Sequence, residues 1–339
     1  MSERMRMWWT DDPADPDVMA ADDPDVRRLV AAVAPGSEVT TLGGTMSLNL
    51  RLHSVGLVLR VHQSFVSRQR ILALQGLRRS LLAGGLQIGE PHTWRGKAVL
   101  TCRGRLAELE TYVPHQVPED TWASYFWMFR AMGRLHRALT GLDIAVPKPV
   151  VATYAPPGSV RRWLAVTAKA VERDPEATKV VQRTHQVVGA LRARWVPASV
   201  LPHHLVHGDV RRGNFSLTAA GKPVYFDFGF AARRPRIHDL AYALAWLIPR
   251  RDGAGAAEEF EWENVPRLIG EYEDAAHTTL TAREREALVP YAAAIPVYHA
   301  AILGYAADPV RQLRNPSRLA FLGIGQWLLD NPHAVLGSA

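Results

Sequence analysis

His207-Gly208-Asp209-Val210-Arg211-Arg212-Gly213-Asn214-Phe215, followed after a turn at residues 219–222 by Val224-Tyr225-Phe226-Asp227-Phe228-Gly229, decides how this chain is read. The lead-in, Leu205 and Val206, is apolar. Two short strands joined by a hairpin would set Asn214 and Asp227 side by side, with Asp209 on the loop just before them. Asn214 offers an amide oxygen and Asp227 a carboxylate. Both are hard oxygen donors on short loops, and such a pair suits Mg²⁺ once phosphate oxygens and water complete its shell.

Phosphoryl transfer needs such a metal to neutralise developing charge, and a base to accept the proton of the incoming hydroxyl. The stretch between His207 and Asp227 holds residues for both tasks. It resembles the catalytic loop and metal motif of the protein-kinase-like superfamily, in its aminoglycoside phosphotransferase and small-molecule kinase branch. His-Gly-Asp is followed by an Asn five residues after the Asp, and then by a literal Asp-Phe-Gly. The resemblance implies Asp209 as catalytic base, Asn214 and Asp227 as magnesium ligands, and His207 as a brace of the loop. It also places Arg211 where a cation meets the transferring phosphate. Asp239, at the head of a helix, is implied to cap that helix and tie down the loop.

Upstream, the hydrophobic period changes to that of strands. Residues 39–42, 48–52 and 57–61 read as three strands, 67–82 as an amphipathic helix, and 98–102 and 106–113 as two more strands. By the resemblance, this part holds ATP (or GTP). Gly43, Gly44, Thr45 and Ser47 lie between two strands, where backbone must approach phosphates without interference from a Cβ. Arg60 stands where a strand cation pairs with the α- and β-phosphates, which a guanidinium can do in bidentate fashion. The usual partner of that cation is a Glu on the next helix. Here the helix carries Arg68, Gln69, Arg70, Gln75, Arg78 and Arg79 but no acid. Either Gln75 orients Arg60, or another group does. Glu110, Thr111 and Tyr112 fall at the expected hinge, where backbone groups would meet the adenine.

Pro114 and Pro118 mark a boundary, after which helices dominate. Helices are expected over 121–139, 176–195, 238–248, 256–276, 282–305 and 315–330, with a Pro-rich loop over 143–160. The fold class expected is α+β: a protein-kinase-like bilobal fold with a small antiparallel-sheet N-lobe carrying one helix and a larger, mainly helical C-lobe. Residues 1–21 read as a mobile arm, 22–113 as the nucleotide-binding N-lobe, and 114–339 as the C-lobe with the catalytic loop and the acceptor site. Trp8 and Trp9 are candidates to dock the arm.

The 339 residues are 47% apolar and 22% charged, ordinary for a globular chain. No apolar run in the sequence approaches the roughly 18 residues that cross a bilayer, so no membrane partner is expected. Cys102 is the single cysteine, so an internal disulfide or a cysteine-based metal cluster is excluded. With no apolar leader in residues 1–17, these features point to a cytoplasmic setting. The net charge of +7 is dispersed. Neither a basic helix nor interleaved aromatics of a nucleic-acid module is present, which disfavours nucleic acid as partner.

The segment between Asp227 and Asp239 is too short for an activation segment or a peptide-docking platform, so the acceptor expected is a small hydroxylated molecule. An antibiotic or related natural product is the first reading, for resistance or self-protection. A homoserine, choline or sugar kinase is the second. A silent nucleotide- or nucleic-acid-binding protein is the alternative from another class. For the acceptor pocket, the acids at 258–274 offer an amine-binding surface. Trp246, Trp262, Tyr272, Tyr291, Tyr298 and Trp327 offer an aromatic one.

Overall fold

The structure is a computed structural model that describes residues 18–44, 46–150, 153–251 and 257–336. Trp8, Trp9, Thr45 and all but residues 18–21 of the expected arm lie outside the described residues. In chain order the elements begin α1 (Pro24–Val33), β1 (Val39–Thr41), β2 (Ser47–Leu52), β3 (Leu57–His62) and α2 (Arg68–Ala83). Four short strands follow: β4 (Gln87–Ile88), β5 (Pro91–His92), β6 (Leu100–Cys102) and β7 (Arg105–Thr111). Next come the helices α3 (Trp122–Thr140), α4 (Pro157–Ala170) and α5 (Pro175–Arg194), then β8 (His203–Val206), β9 (Phe215–Leu217), β10 (Pro223–Tyr225) and β11 (Ala232–Pro235). The chain closes with α6 (Ile237–Arg251), α7 (Val265–Ala276), α8 (Ala282–Ala301), α9 (Pro309–Leu313), α10 (Pro316–Asp330) and α11 (Pro332–Leu336).

Chain contacts divide the described residues into two compact units. The first draws on Met1–Gln116, Asp143–Val150 and Ser216–Gly229, and the second on Val117–Leu142, Val151–Phe215 and Phe230–Ala339.

In the first unit an antiparallel sheet runs β1-β2-β3-β7-β5, with β6 also paired to β7. Strand alternation sorts its two faces. Leu48, Leu50 and Leu52 of β2, Leu59 and Val61 of β3, and Ala107 and Leu109 of β7 join one buried cluster with Val26 of α1. Leu29, Val30 and Val33 of α1 pack on it. That helix starts as its sequence dictates, with Asp23 accepting the Asp25 N–H at 2.8 Å and a proline in the first turn. The residues between these apolar ones, Arg60 and His62 on β3 and Glu108 and Glu110 on β7, alternate with them and so take the opposite face. Gln75 and Arg78 of α2 reach these acids.

The second unit is mainly helical. α3 packs on α7, and α8 packs against α4, α5, α6 and α10. β8 and β11 form a two-stranded antiparallel ribbon in which Val206 faces Ala232.

Three expectations are corrected. Helix α4 occupies the end of the stretch read as loop; its buried Val160, Leu164 and Thr167 follow helical spacing once Pro156-Pro157 is passed. The helix expected from residue 256 starts only at Val265, after two short 3₁₀ turns, with a proline in its first turn. Finally, Ala282–Tyr305 is long and apolar enough to cross a membrane by length and composition, but 94% of its most apolar window is buried inside the protein. A helix surrounded by other helices is apolar all round for that reason.

Candidate active site

The His-Gly-Asp loop lies wholly in the second unit and is built on hydrogen bonds from α6. Asp239, in the first turn of that helix, is fully buried. Its Oδ2 accepts the His207 N–H at 2.8 Å, and its Oδ1 accepts the Gly208 N–H at 2.9 Å. His136 Nε2 lies 2.9 Å from Oδ2, and its Nδ1 lies 3.0 Å from the Tyr272 hydroxyl. Burial works against the Asp239 charge. The His136 hydrogen bond and the neighbouring histidines outweigh it and hold the carboxyl well below the usual range. Both oxygens are thus spent on the loop and on His136.

Gly208 has φ of 83°, and a Cβ there would stand 2.6 Å from the Phe230 carbonyl oxygen, so only glycine fits. The Gly208 carbonyl accepts from the Thr153 hydroxyl at 2.6 Å. His207 is buried, and its Nδ1 accepts the Asp209 N–H at 3.2 Å.

Asp209 presents a carboxylate only 2% exposed, yet surrounded by donors. Tyr242, one turn along α6 from Asp239, donates its hydroxyl to Oδ1 at 2.8 Å. Arg211 Nη2 and Asn214 Nδ2 reach Oδ2 at 2.7 and 2.8 Å. Burial and the Asp209 charge push the Tyr242 phenol well above its usual pKa, so it stays a donor. Asn214 Nδ2 also donates to the Asp209 carbonyl at 2.8 Å. Both partners are pure acceptors, so the amide nitrogen must face them, which leaves the Asn214 oxygen as a hard donor for a cation. Arg211 is 42% exposed and accessible to an anion.

Asp227 belongs to the first unit. It holds the left-handed conformation at φ of 55°, uncommon for a residue with a side chain and often found at functional sites. Its Oδ1 accepts from Arg60 Nη1 at 3.1 Å and from the Gly229 N–H at 3.3 Å. Arg60 Nη2 lies 3.9 Å from Glu110 Oε1. Although burial opposes its charge, Asp227, Glu110 and Glu108 raise the Arg60 pKa above its ordinary value. Gln75 does not orient Arg60: its Nε2 donates to Glu108 Oε2 at 3.0 Å and to the Ala98 carbonyl at 2.9 Å. Among the described residues, no group of three or more His, Cys, Asp or Glu side chains forms a metal cage.

Gly43 and Gly44 take φ of 77° and 112° in the turn between β1 and β2, a backbone only glycine adopts easily. Asn49 Nδ2 closes this turn on the Gly43 carbonyl at 3.0 Å. Ser47 opens β2 opposite His62. At the expected hinge two backbone amides are already paired. The Thr111 N–H is bonded to Glu90 O and the Tyr112 N–H to Gly56 O, both at 2.9 Å. These amides are spent within the sheet unit and are not free for a base, and the Glu110 side chain points into the ion-pair cluster.

The expected acceptor surfaces also separate. Glu271 pairs with Arg130 at 2.6 Å, and Glu273 with Arg285 at 2.6 Å, so these acids are neutralised within the protein. Tyr272, Tyr291 and Tyr298 are buried in the core, and Trp262 and Trp327 stack on one another at 4.8 Å. Trp246 contacts Tyr242, its ring lying 6.3 Å away. Its ring is also 5.2 Å from His299 and 4.9 Å from Phe321. Tyr242, His299 and Phe321 were not anticipated from the sequence, where each reads as one more apolar-face residue of a helix.

Asp209, buried on the His-Gly-Asp loop, is thus tied to α6 through Tyr242 and flanked by an arginine and an asparagine. The sequence profile of the phosphotransferase enzyme family matches residues 42–288, and the chain belongs to that family. No curated protein matches the chain significantly. Solved structures share the fold at low identity. An amicoumacin kinase, in complex with AMP-PNP, Ca²⁺ and Ami, superposes with a TM-score of 0.66 at 17% identity, covering 94% of this chain and 96% of that one. A microcompartment-associated aminopropanol kinase gives 0.69 at 13%, covering 93% and 99%. An aminoglycoside phosphotransferase from Alicyclobacillus acidocaldarius gives 0.59 at 14%, covering 90% and 96%.

Proposed function

We propose that the protein transfers the γ-phosphate of ATP (or GTP), with Mg²⁺, to a hydroxyl of a small molecule, an antibiotic or related natural product being the first candidate. The observation that carries this reading is the Asp209 carboxylate, buried and held in one orientation by Tyr242, Arg211 and Asn214. Such a group serves a reaction in which positioning does most of the work. Asp209 accepts the proton of the acceptor hydroxyl. Arg211 meets the transferring phosphate. Arg60 binds the phosphates of the nucleotide, and the turn at Gly43, Gly44 and Ser47 covers them; Thr45 is assigned there by position in the sequence.

Asn214 and Asp227 suit magnesium, because one presents a free amide oxygen and the other a carboxylate on a fixed turn. A bound magnesium ion would neutralise charge on the phosphate oxygens. Asn214 has a second task, since its amide nitrogen fixes the base. Of the adenine-side assignments, Glu110 is better read as a side chain acting on Arg60 than as a backbone contact.

The acceptor reading rests on the wall beside Tyr242. Trp246, His299 and Phe321 form an aromatic surface next to the base's partner. His299 Nε2 is buried without a hydrogen-bond partner, and burial with the nearby Arg318 and Arg211 charges lowers its pKa to about 3. A neutral ring beside two arginines favours an uncharged or anionic acceptor over a polyamine. The test is a mass-shift screen. Incubation with Mg-ATP and a panel of hydroxylated antibiotics and metabolites should give one product heavier by one phosphate. Trp246→Ala should then raise KM for that acceptor and leave KM for ATP unchanged. A panel in which only polyamines react would overturn the acceptor class.

A further inference from the structure

α2 offers no acid to Arg60, yet Arg60 is held. Its guanidinium lies on the face of the sheet away from α1, and Glu108 stands directly across from it on β7. Glu110, two residues along the same strand and on the same face, brings Oε1 to 3.9 Å from Arg60 Nη2. The other Glu110 oxygen is taken by Arg78 Nη1 of α2. Arg78 Nη2 takes Glu108 Oε2, and Glu108 Oε1 faces His62 Nε2 at 3.1 Å. Arg60, Arg78, Glu108, Glu110 and Asp227 all line one cavity. The Arg78, Glu108 and Glu110 side chains are 7%, 6% and 10% exposed, so water does little of the pairing.

Two buried acids so close together are tolerable only if cations are shared between them. The fork of Arg78 grips both at once, a geometry that lysine's single ammonium does not reproduce. That grip leaves one Glu110 oxygen, and it faces Arg60. The charges therefore alternate in sequence: Arg78, Glu110, Arg60, Asp227. α2 also reaches the Asp-Phe-Gly turn, where Arg70 Nη2 donates to the Gly229 carbonyl at 2.6 Å.

We propose that Glu110 is the positioning residue of Arg60, and that Arg78 on α2 sets Glu110, so that here the helix supplies a cation and the sheet supplies the acid. The proposal rests on the reading of Arg60 as a phosphate ligand. It also gives Glu110 a specific task. Arg60 bonds Asp227; were Asp227 to hold a metal, the second carboxylate would keep Arg60 in place. Without Glu110, Arg60 stays on Asp227 and competes with the cation.

The experiment is steady-state kinetics in ATP and in Mg²⁺ on Arg60→Ala, Glu110→Gln, the Arg60→Ala/Glu110→Gln double variant and Arg78→Gln/Glu110→Gln. The last removes both partners of the Arg78–Glu110 pair and leaves Glu108 its contacts to His62 and Gln75. Glu110→Gln and Arg78→Gln/Glu110→Gln should each raise KM for ATP roughly 3- to 100-fold, the range expected for coupled charges in contact. Both should raise the half-saturating Mg²⁺ concentration and leave the acceptor KM unchanged. The Arg60→Ala/Glu110→Gln variant should be no worse than Arg60→Ala alone, because Glu110 acts through Arg60. If Arg60→Ala raises KM for ATP while both Glu110 variants, folded by circular dichroism, leave it and the Mg²⁺ requirement unchanged, the inference is wrong. If Arg60→Ala itself leaves KM for ATP unchanged in an active enzyme, the reading of Arg60 fails first.

Discussion

The carboxylate of Asp239 holds the backbone of Gly208: its Oδ1 accepts the Gly208 N–H at 2.9 Å, inside a site with no solvent exposure at Asp239. Its other oxygen holds the His207 N–H and faces His136. Asp239→Ala strands two buried amides at once. Each unpaired group costs about 1–3 kcal/mol. Urea unfolding should show a loss of about 3 kcal/mol or more, and phosphotransfer should fall even under conditions where the variant is folded.

Gly208 and Gly213 lie in the same loop and make opposite predictions. Gly208→Ala puts a Cβ at 2.6 Å from the Phe230 carbonyl on a φ of 83°. Strain of this kind costs about 1–3 kcal/mol and displaces the next residue, Asp209, so turnover should fall roughly 100-fold. A Cβ at Gly213 meets nothing within 4 Å. Gly213→Ala should keep nearly full activity in the same assay.

Tyr242→Phe removes one donor from the Asp209 carboxylate and changes little else. A hydrogen bond to a charged group is worth about 1.5–3 kcal/mol. If that bond fixes the base, kcat should drop roughly 10-fold or more with KM for ATP unchanged. Wild-type kcat in the Phe variant would show that Arg211 and Asn214 suffice.

Three histidines make the fold sensitive to acid, His299 and two others. His204 and His238 are 7% and 1% exposed, and each is pushed down to about 3, first by burial and then by neighbouring charges. A base whose folded-state pKa is depressed takes up a proton more readily when unfolded. Stability therefore holds above pH ~6.5, the unfolded value, and is lost progressively as pH falls toward 3. At pH 5 each site costs on the order of 2 kcal/mol. The urea midpoint should fall steeply between pH 7 and pH 5, and His238→Gln should flatten that slope.

The legible part of the site was the part carried by local spacing. Asp209, Asn214 and Asp227 stand on short loops where residue type and order alone imply the chemistry, and Arg60 shows itself by its place on a strand. What stayed hidden depends on tertiary contact. Glu108 and Glu110 alternate with Ala107 and Leu109 as if facing water; only the fold lays α2 and its Arg78 over them. Tyr242 sits among Leu240, Ala241 and Leu244, where an aromatic reads as packing. The pairing of the Tyr112 amide with Gly56, far away in sequence, was hidden in the same way. Helix α4 was masked by the prolines that precede it.

The central claim is that Asp209 is the base of a phosphotransferase. Asp209→Asn keeps the size of the side chain and removes its charge. Isothermal titration with Mg-ATP, together with turnover on the acceptor found by the mass screen, tests it directly. The account predicts nucleotide affinity within about 3-fold of wild type and turnover reduced at least 1,000-fold, on the scale of losing both base and positioning. Turnover within 10-fold of wild type in a folded Asp209→Asn protein would contradict it.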